Sequence, residues 1–227
     1  MSDAVKRHGL NATPVEIMKL LPEMDRVQTG ARADGAVHER LGKIETVEVA
    51  DRSVRISGAC HDLVLDPSAL VSVEYDTTME MRDKIYPRLD MMGEDGDVLF
   101  SFTGLEGLEA MEPHLTKFER TPIAPRPWPA SEETEPDLEN DPARPFLESL
   151  VGAAPVTVRI GTPLFTQQWA GEVAKMLPAG GCFNIILKDF HLHLPANTLS
   201  GWDERDGWHH GILLDGSDSA LSIGPAQ

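Results

Sequence analysis

Cysteine is scarce in this chain: Cys60 and Cys182 are the two among 227 residues. They stand far apart and outside any CxxC spacing, so neither a disulfide framework nor a thiolate zinc site is indicated, and a reducing cytosol is the expected compartment. Positive charge is also short. Against 37 Asp and Glu there are 20 Lys and Arg, a formal charge of −17, which opposes the phosphate neutralisation that supplies most nucleic-acid affinity. Nucleic acid and anionic membrane surfaces are therefore poor partners. No window nears the roughly 20 apolar residues of a membrane span. The opening MSDAVKRHGLNATP lacks the apolar core of a secretory leader.

Several catalytic signatures are missing as well. There is no GxSxG elbow, no GxxxxGK[ST] loop, no GxGxxG after a strand and no HExxH, which removes the local signals for acyl transfer, nucleotide binding and zincin chemistry. The acidic pairs Glu94-Asp95 and Glu132-Glu133 fall in polar runs, where solvation keeps both groups ordinary. Cys182 beside Phe183 reads as a structural thiol.

What is present is mostly short alternation. Thr13, Pro14 and Glu16 form a capping-box start for a helix carrying Val15, Met18 and Leu21. From residue 37 the runs VHERLGKIETVEV, VRISGACHDLVL and ALVSVEY read as antiparallel strands. Asp95-Gly96 marks a hairpin before Val98, Phe100 and Phe102, and a helix follows over 105–118 that Pro113 would bend. Residues 121–145 carry seven prolines and an acidic run, a composition that cannot offset its ordering entropy by burial and so reads as a linker. A short helix in FLESLVGAAP and strands VTVRIG, FTQQWAGEV, CFNIIL, FHLHL and GILLDGSDSALSIG complete the pattern.

The two halves look alike. A shift of 129 places Leu63, Leu65 and Leu70 on Leu192, Leu194 and Leu199, and a shift of 120 places Asp95-Gly96 and Gly104 on Asp215-Gly216 and Gly224. With the same order of strand and turn, this indicates internal duplication. The expected fold class is α+β, two similar repeats that each form a large antiparallel sheet with a few helices. The expected domains are 1–120, a linker at 121–149, and a shorter repeat at 150–227.

Histidines concentrate in the second half. In KDFHLHLP, His191 and His193 share one strand face with Asp189, while Phe190, Leu192 and Leu194 share the other. They are either ligands or the wet face of a half-buried strand, since a metal site needs further donors and an orienting shell. GWDERDGWHHG reads as an exposed hairpin with partly buried tryptophans. In it, His209 and His210 face opposite ways, so at most one joins a shared site. His61 and His114 read as structural, and His38 is open to either reading.

The ordered set VHERLGKIETVEV, DLVLDPSALVSVEY, MGEDGDVLFSFTG, VRIGTPLFTQQWAGEV, GGCFNIILKDFHLHLP and LLDGSDSALSIG resembles the cytosolic haem-utilisation family, the HemS-type haemin-transport proteins with their shorter ChuX-type relatives. The resemblance covers residues 10–118 and 150–224. It implies two sheet-rich repeats, a haem cofactor, and a role in haem uptake, trafficking or haem-iron utilisation, as a carrier rather than an enzyme. It also implies a haem-accepting protein as partner and a monomer or homodimer. Long members carry a histidine-bearing helix between the repeats that supplies the axial ligand, whereas residues 121–151 here hold no histidine. Short relatives use a strand histidine at the place of FHLHL, which makes His193 the implied haem-iron ligand and His191 its neighbour. Trp169, Phe190 and Trp202 are the aromatics expected near the macrocycle, and Arg205 is an expected propionate cation, with Lys188 and Arg82 as further cations. Two alternatives stand beside this: a metal-dependent β-fold enzyme using His191, His193 and one of His209 or His210, or an interaction scaffold that has lost its ligand.

Overall fold

The computed structural model describes residues 6–126 and 137–226. In chain order the elements are β1 (Arg7–Leu10), α1 (Pro14–Met18), β2 (Arg26–Ala33), β3 (Ala36–Lys43), β4 (Thr46–Ala50), β5 (Ser53–Gly58), β6 (His61–Leu65), β7 (Ser72–Asp76), β8 (Glu80–Met81), β9 (Lys84–Ile85), β10 (Arg88–Met92), β11 (Val98–Gly104), α2 (Leu108–Leu115) and β12 (Arg120–Pro122). After them come α3 (Arg144–Ser149), β13 (Val156–Thr162), β14 (Phe165–Gly171), β15 (Leu177–Ala179), β16 (Cys182–Ile186), β17 (Phe190–Pro195), β18 (Leu199–Arg205), β19 (Trp208–Leu213) and β20 (Asp218–Pro225). The fold is α+β and dominated by antiparallel sheet. Among the described residues no helix is long and apolar enough to cross a membrane.

The chain divides into two units. The first takes the described residues up to 30 and those from 41 to 126; the second takes 31–40 and those from 137 onward. In the first, strands run in the order β12-β1-β7-β10-β11-β2, with β6-β5-β4 beside one another. The capping box forms as expected: the Glu16 amide donates to Thr13 Oγ1 at 3.2 Å and the Thr13 amide to Glu16 Oε2 at 2.8 Å. The helix it starts is one turn long and buries Pro14, Ile17 and Met18 rather than Val15. Phe100 and Phe102 point inward from β11, and Gly96, at φ 80°, supplies the left-handed turn before it. Pro113 sits within α2 without splitting it. Arg7, Arg88 and Arg126 surround Glu74, Asp76 and Asp90, so the buried acids of this unit are neutralised by guanidinium groups, as burial requires.

In the second unit the strands run β3-β17-β16-β15 and, separately, β18-β19-β20-β13-β14. The sequence β18-β19-β20-β13 thus has the same form as β7-β10-β11-β2: a run of later strands followed by an earlier one. Val158, Ile160, Phe183, Leu192, Leu194 and Leu221 form its buried interior. The expected hairpin at GWDERDGWHHG is present as β18 and β19, paired from Leu199↔Leu213 to Arg205↔Trp208. Arg144–Ser149 forms the short helix. Of the segment expected as linker, 121–149, Thr121 and Pro122 pair with β1, and 127–136 lie outside the described residues.

Candidate functional site

β17 holds the site because its alternation is strict. Phe190, Leu192 and Leu194 are buried, whereas His191 and His193 are half-buried on the opposite face. Burying each of those large apolar side chains contributes about 1.5–3 kcal/mol, which pins the register and sends the imidazoles the other way. Trp169 from β14 stacks on Phe190, with ring centroids 4.3 Å apart and planes at 8°, adding about 0.5–1.5 kcal/mol to the back of the strand.

The neighbouring strands complete the open face. In the antiparallel pairing of β17 with β3, His191 lies opposite Glu39, and in its pairing with β16, His193 lies opposite Asn184. Glu39 Oε2 is 3.1 Å from His191 Nδ1 and 3.6 Å from His193 Nε2. His193 Nδ1 is 2.6 Å from Asn184 Oδ1. The Asn184 amide nitrogen donates to the carbonyls of Leu177, Ala179 and Cys182 at 3.1, 3.0 and 3.1 Å, which orients its oxygen toward the imidazole. Burial on its own would push the Glu39 carboxyl upward, but the hydrogen bonds from His191 and His193 outweigh it and hold the group down at about 2. One donor atom from each of Glu39, His191 and His193 lies within 4.8 Å of the others.

His38 faces the interior, one residue from Glu39. Its Nε2 donates to the Val158 carbonyl at 3.2 Å and its Nδ1 accepts from Gln167 Nε2 at 2.9 Å. Burial holds it neutral, with a pKa of about 3. His61 is likewise satisfied internally, by Thr29 Oγ1 at 3.3 Å and the Gly42 carbonyl at 3.1 Å, and His114 faces Glu23 at 3.3 Å.

The remaining candidate residues take other places. Phe190 and Trp169 are buried behind β17, on the side away from the imidazoles. Trp202, on β18, packs on Phe146 at 4.6 Å and donates from Nε1 to the Ala143 carbonyl at 3.4 Å. Arg205 is bound to Asp218 at 2.7 and 2.9 Å and to Asp203 at 3.0 Å, so its charge is already matched. His209 packs on Phe146 at 4.3 Å; the third donor beside His191 and His193 is Glu39, not His209 or His210. Burial raises the Cys182 thiol, consistent with an inert cysteine. Glu39 and Asn184 were not singled out from the sequence. Their only trace is a polar residue at an outward position of an alternating run.

No protein-family model matches the chain, and no curated protein matches it. Solved structures do. The heme degrading enzyme ChuS of Escherichia coli O157:H7 superposes with a TM-score of 0.74 at 17% identity, covering 98% of this chain and 82% of that one. A second ChuS structure, described as an E. coli heme oxygenase, gives 0.72 at 15% identity over 98% and 84%. Holo-PhuS, a heme-binding protein from Pseudomonas aeruginosa, gives 0.72 at 14% identity over 98% and 82%. The fold of this chain is the fold of ChuS and PhuS, the HemS-type architecture that its strands and turns resemble in sequence.

Proposed function

We propose that this chain is a cytosolic haem-binding protein of haem uptake, trafficking or haem-iron utilisation, a carrier that accepts the macrocycle and hands it to an accepting protein. The observation that carries the reading is the imidazole pair on the open face of β17, set in a fold shared over nearly the whole chain with ChuS and PhuS. Haem requires an axial donor, apolar cover and cations for two propionates. His193 and His191 supply the donors in this reading. Phe190 and Trp169 stiffen the strand from behind.

The two-repeat organisation, with repeats at 1–120 and 150–227 and a linker at 121–149, belongs to the same proposal. Two facts support it: the parallel strand orders β7-β10-β11-β2 and β18-β19-β20-β13, and the direct contact of His38 with Gln167, which are separated by the same 129 residues as the leucine matches.

Haemin titration tests the function. The expected result is a saturable Soret shift at one haem per chain, diminished in His193→Ala. Adding reductant in air separates the roles: a persistent Soret band supports a carrier, and its loss supports a degrading enzyme. Haemin that adds to the spectrum without saturation would overturn the proposal.

A further inference from the structure

We infer that Glu39, His191 and His193 form a binding site for a divalent first-row transition ion, independent of porphyrin. The site does not rest on the haem reading, although it shares its imidazoles. Three arguments converge on it.

The first is spacing. Metal bonds of about 2.0–2.2 Å to imidazole nitrogen and carboxylate oxygen, at angles between octahedral and tetrahedral, place neighbouring donors roughly 2.9–3.4 Å apart. Glu39 Oε2 is 3.1 Å from one imidazole nitrogen and 3.6 Å from the other, and all three donor atoms lie within 4.8 Å of one another, so the three side chains converge on one place.

The second is the orientation of His193. Asn184 spends its amide hydrogens on the backbone carbonyls of Leu177, Ala179 and Cys182, so its oxygen can only accept. It lies 2.6 Å from His193 Nδ1, which fixes the ring with Nε2 turned toward Glu39 Oε2, 3.6 Å away. This is the arrangement in which a second hydrogen bond orients a metal-bound histidine.

The third is rigidity and access. All four side chains project from paired strands, with Glu39 opposite His191 and Asn184 opposite His193. Glu39 is 12% exposed, whereas His191 and His193 are 22% and 31% exposed, so the anionic donor is shielded while the outer side admits water or a small ligand. Two imidazoles and one carboxylate with open positions select Zn²⁺, Co²⁺ or Fe²⁺ over Mg²⁺ and Ca²⁺, which prefer all-oxygen sites.

The test uses the full chain after chelator treatment. Co²⁺ is followed by its visible ligand-field bands and Zn²⁺ by calorimetry. One ion per chain is expected, with affinity lowered about tenfold or more in Glu39→Gln, His191→Gln and His193→Gln, and lowered in Asn184→Ala by roughly 10–100-fold, as for other orienting partners. Thermal melts identify any variant that fails to fold, and the remaining variants then decide. Absence of Co²⁺ and Zn²⁺ binding, or binding unchanged in the folded variants, overturns the site. The two readings fail separately. Metal binding without a saturable haemin response sinks the haem proposal alone, and a haemin response without metal binding sinks this one alone. If both bind, preloaded Zn²⁺ raises the apparent Kd for haemin.

Discussion

β6 and β17 are near twins that end with different surfaces. Each buries alternate residues, His61, Leu63 and Leu65 in one and Phe190, Leu192 and Leu194 in the other, and each presents its intervening side chains outward. On β6 these are Asp62 and Val64. Asp62 meets Arg55 at 3.1 Å, a pair 40% and 52% exposed, and such surface pairs contribute about 0–1 kcal/mol. On β17 the same places hold His191 and His193, converging on the largely buried Glu39. The buried face specifies a strand; the outward face, free of packing demands, carries a surface ion pair on β6 and three converging donors on β17.

Mutations on the two strands sharpen that contrast. The largest effect is expected behind the imidazoles. Phe190→Ala removes a wholly buried ring that stacks on Trp169 and should cost about 3–5 kcal/mol in denaturant unfolding. At the matching place on β6, His61→Ala loses hydrogen bonds to Thr29 and Gly42 and should cost about 1–3 kcal/mol. Equal losses at the two positions would break the contrast between an apolar and a polar anchor.

A middle-sized effect concerns acid. His38 is held neutral to about pH 3 by burial, so below its ordinary value of 6.5 the unfolded chain binds a proton that the folded chain refuses. Stability therefore falls as pH drops from about 6.5. Glu39, held at about 2 against an ordinary 4.5, adds a second loss as pH falls from about 4.5. In metal-free protein, urea unfolding between pH 7 and pH 3 should show this slope in the wild type and a shallower one in His38→Gln above pH 4.5, with the loss below pH 4.5 retained. An unchanged slope would contradict the account.

The smallest effects compare the two outward faces directly. Asp62→Asn should change stability by less than about 1 kcal/mol. Glu39→Gln, which replaces a shielded carboxylate that both imidazoles face, should cost about 1–3 kcal/mol at neutral pH. The order of the two matters more than either value.

Most of the fold was legible wherever burial alternated with period two. FHLHL, CFNIIL and the two Asp-Gly hairpins announce themselves because apolar residues, β-propensity and turn chemistry agree there. RVQTGARA did not, although it forms β2; its inward positions are filled by Val27, Thr29 and Ala31, too small and polar to stand out. VHERLGKIETVEV reads as one run but breaks between β3 and β4 at Ile44 and Glu45, because alternation alone does not locate a bend. The site was half legible. The imidazole pair is local and visible, whereas Glu39 joins it from 152 residues away through the pairing of β3 with β17, and Asn184 through a separate pairing; strand partners are set by tertiary packing, not by neighbouring sequence.

The central claim is that the outward face of β17, and not that of β6, is where haem binds. Haemin titration of the double variants His191→Ala/His193→Ala and Asp62→Ala/Val64→Ala tests it most directly. The account predicts a Soret response weakened about tenfold or more in the first and unchanged in the second. Equal responses in the two, or a loss confined to the β6 variant, would contradict it.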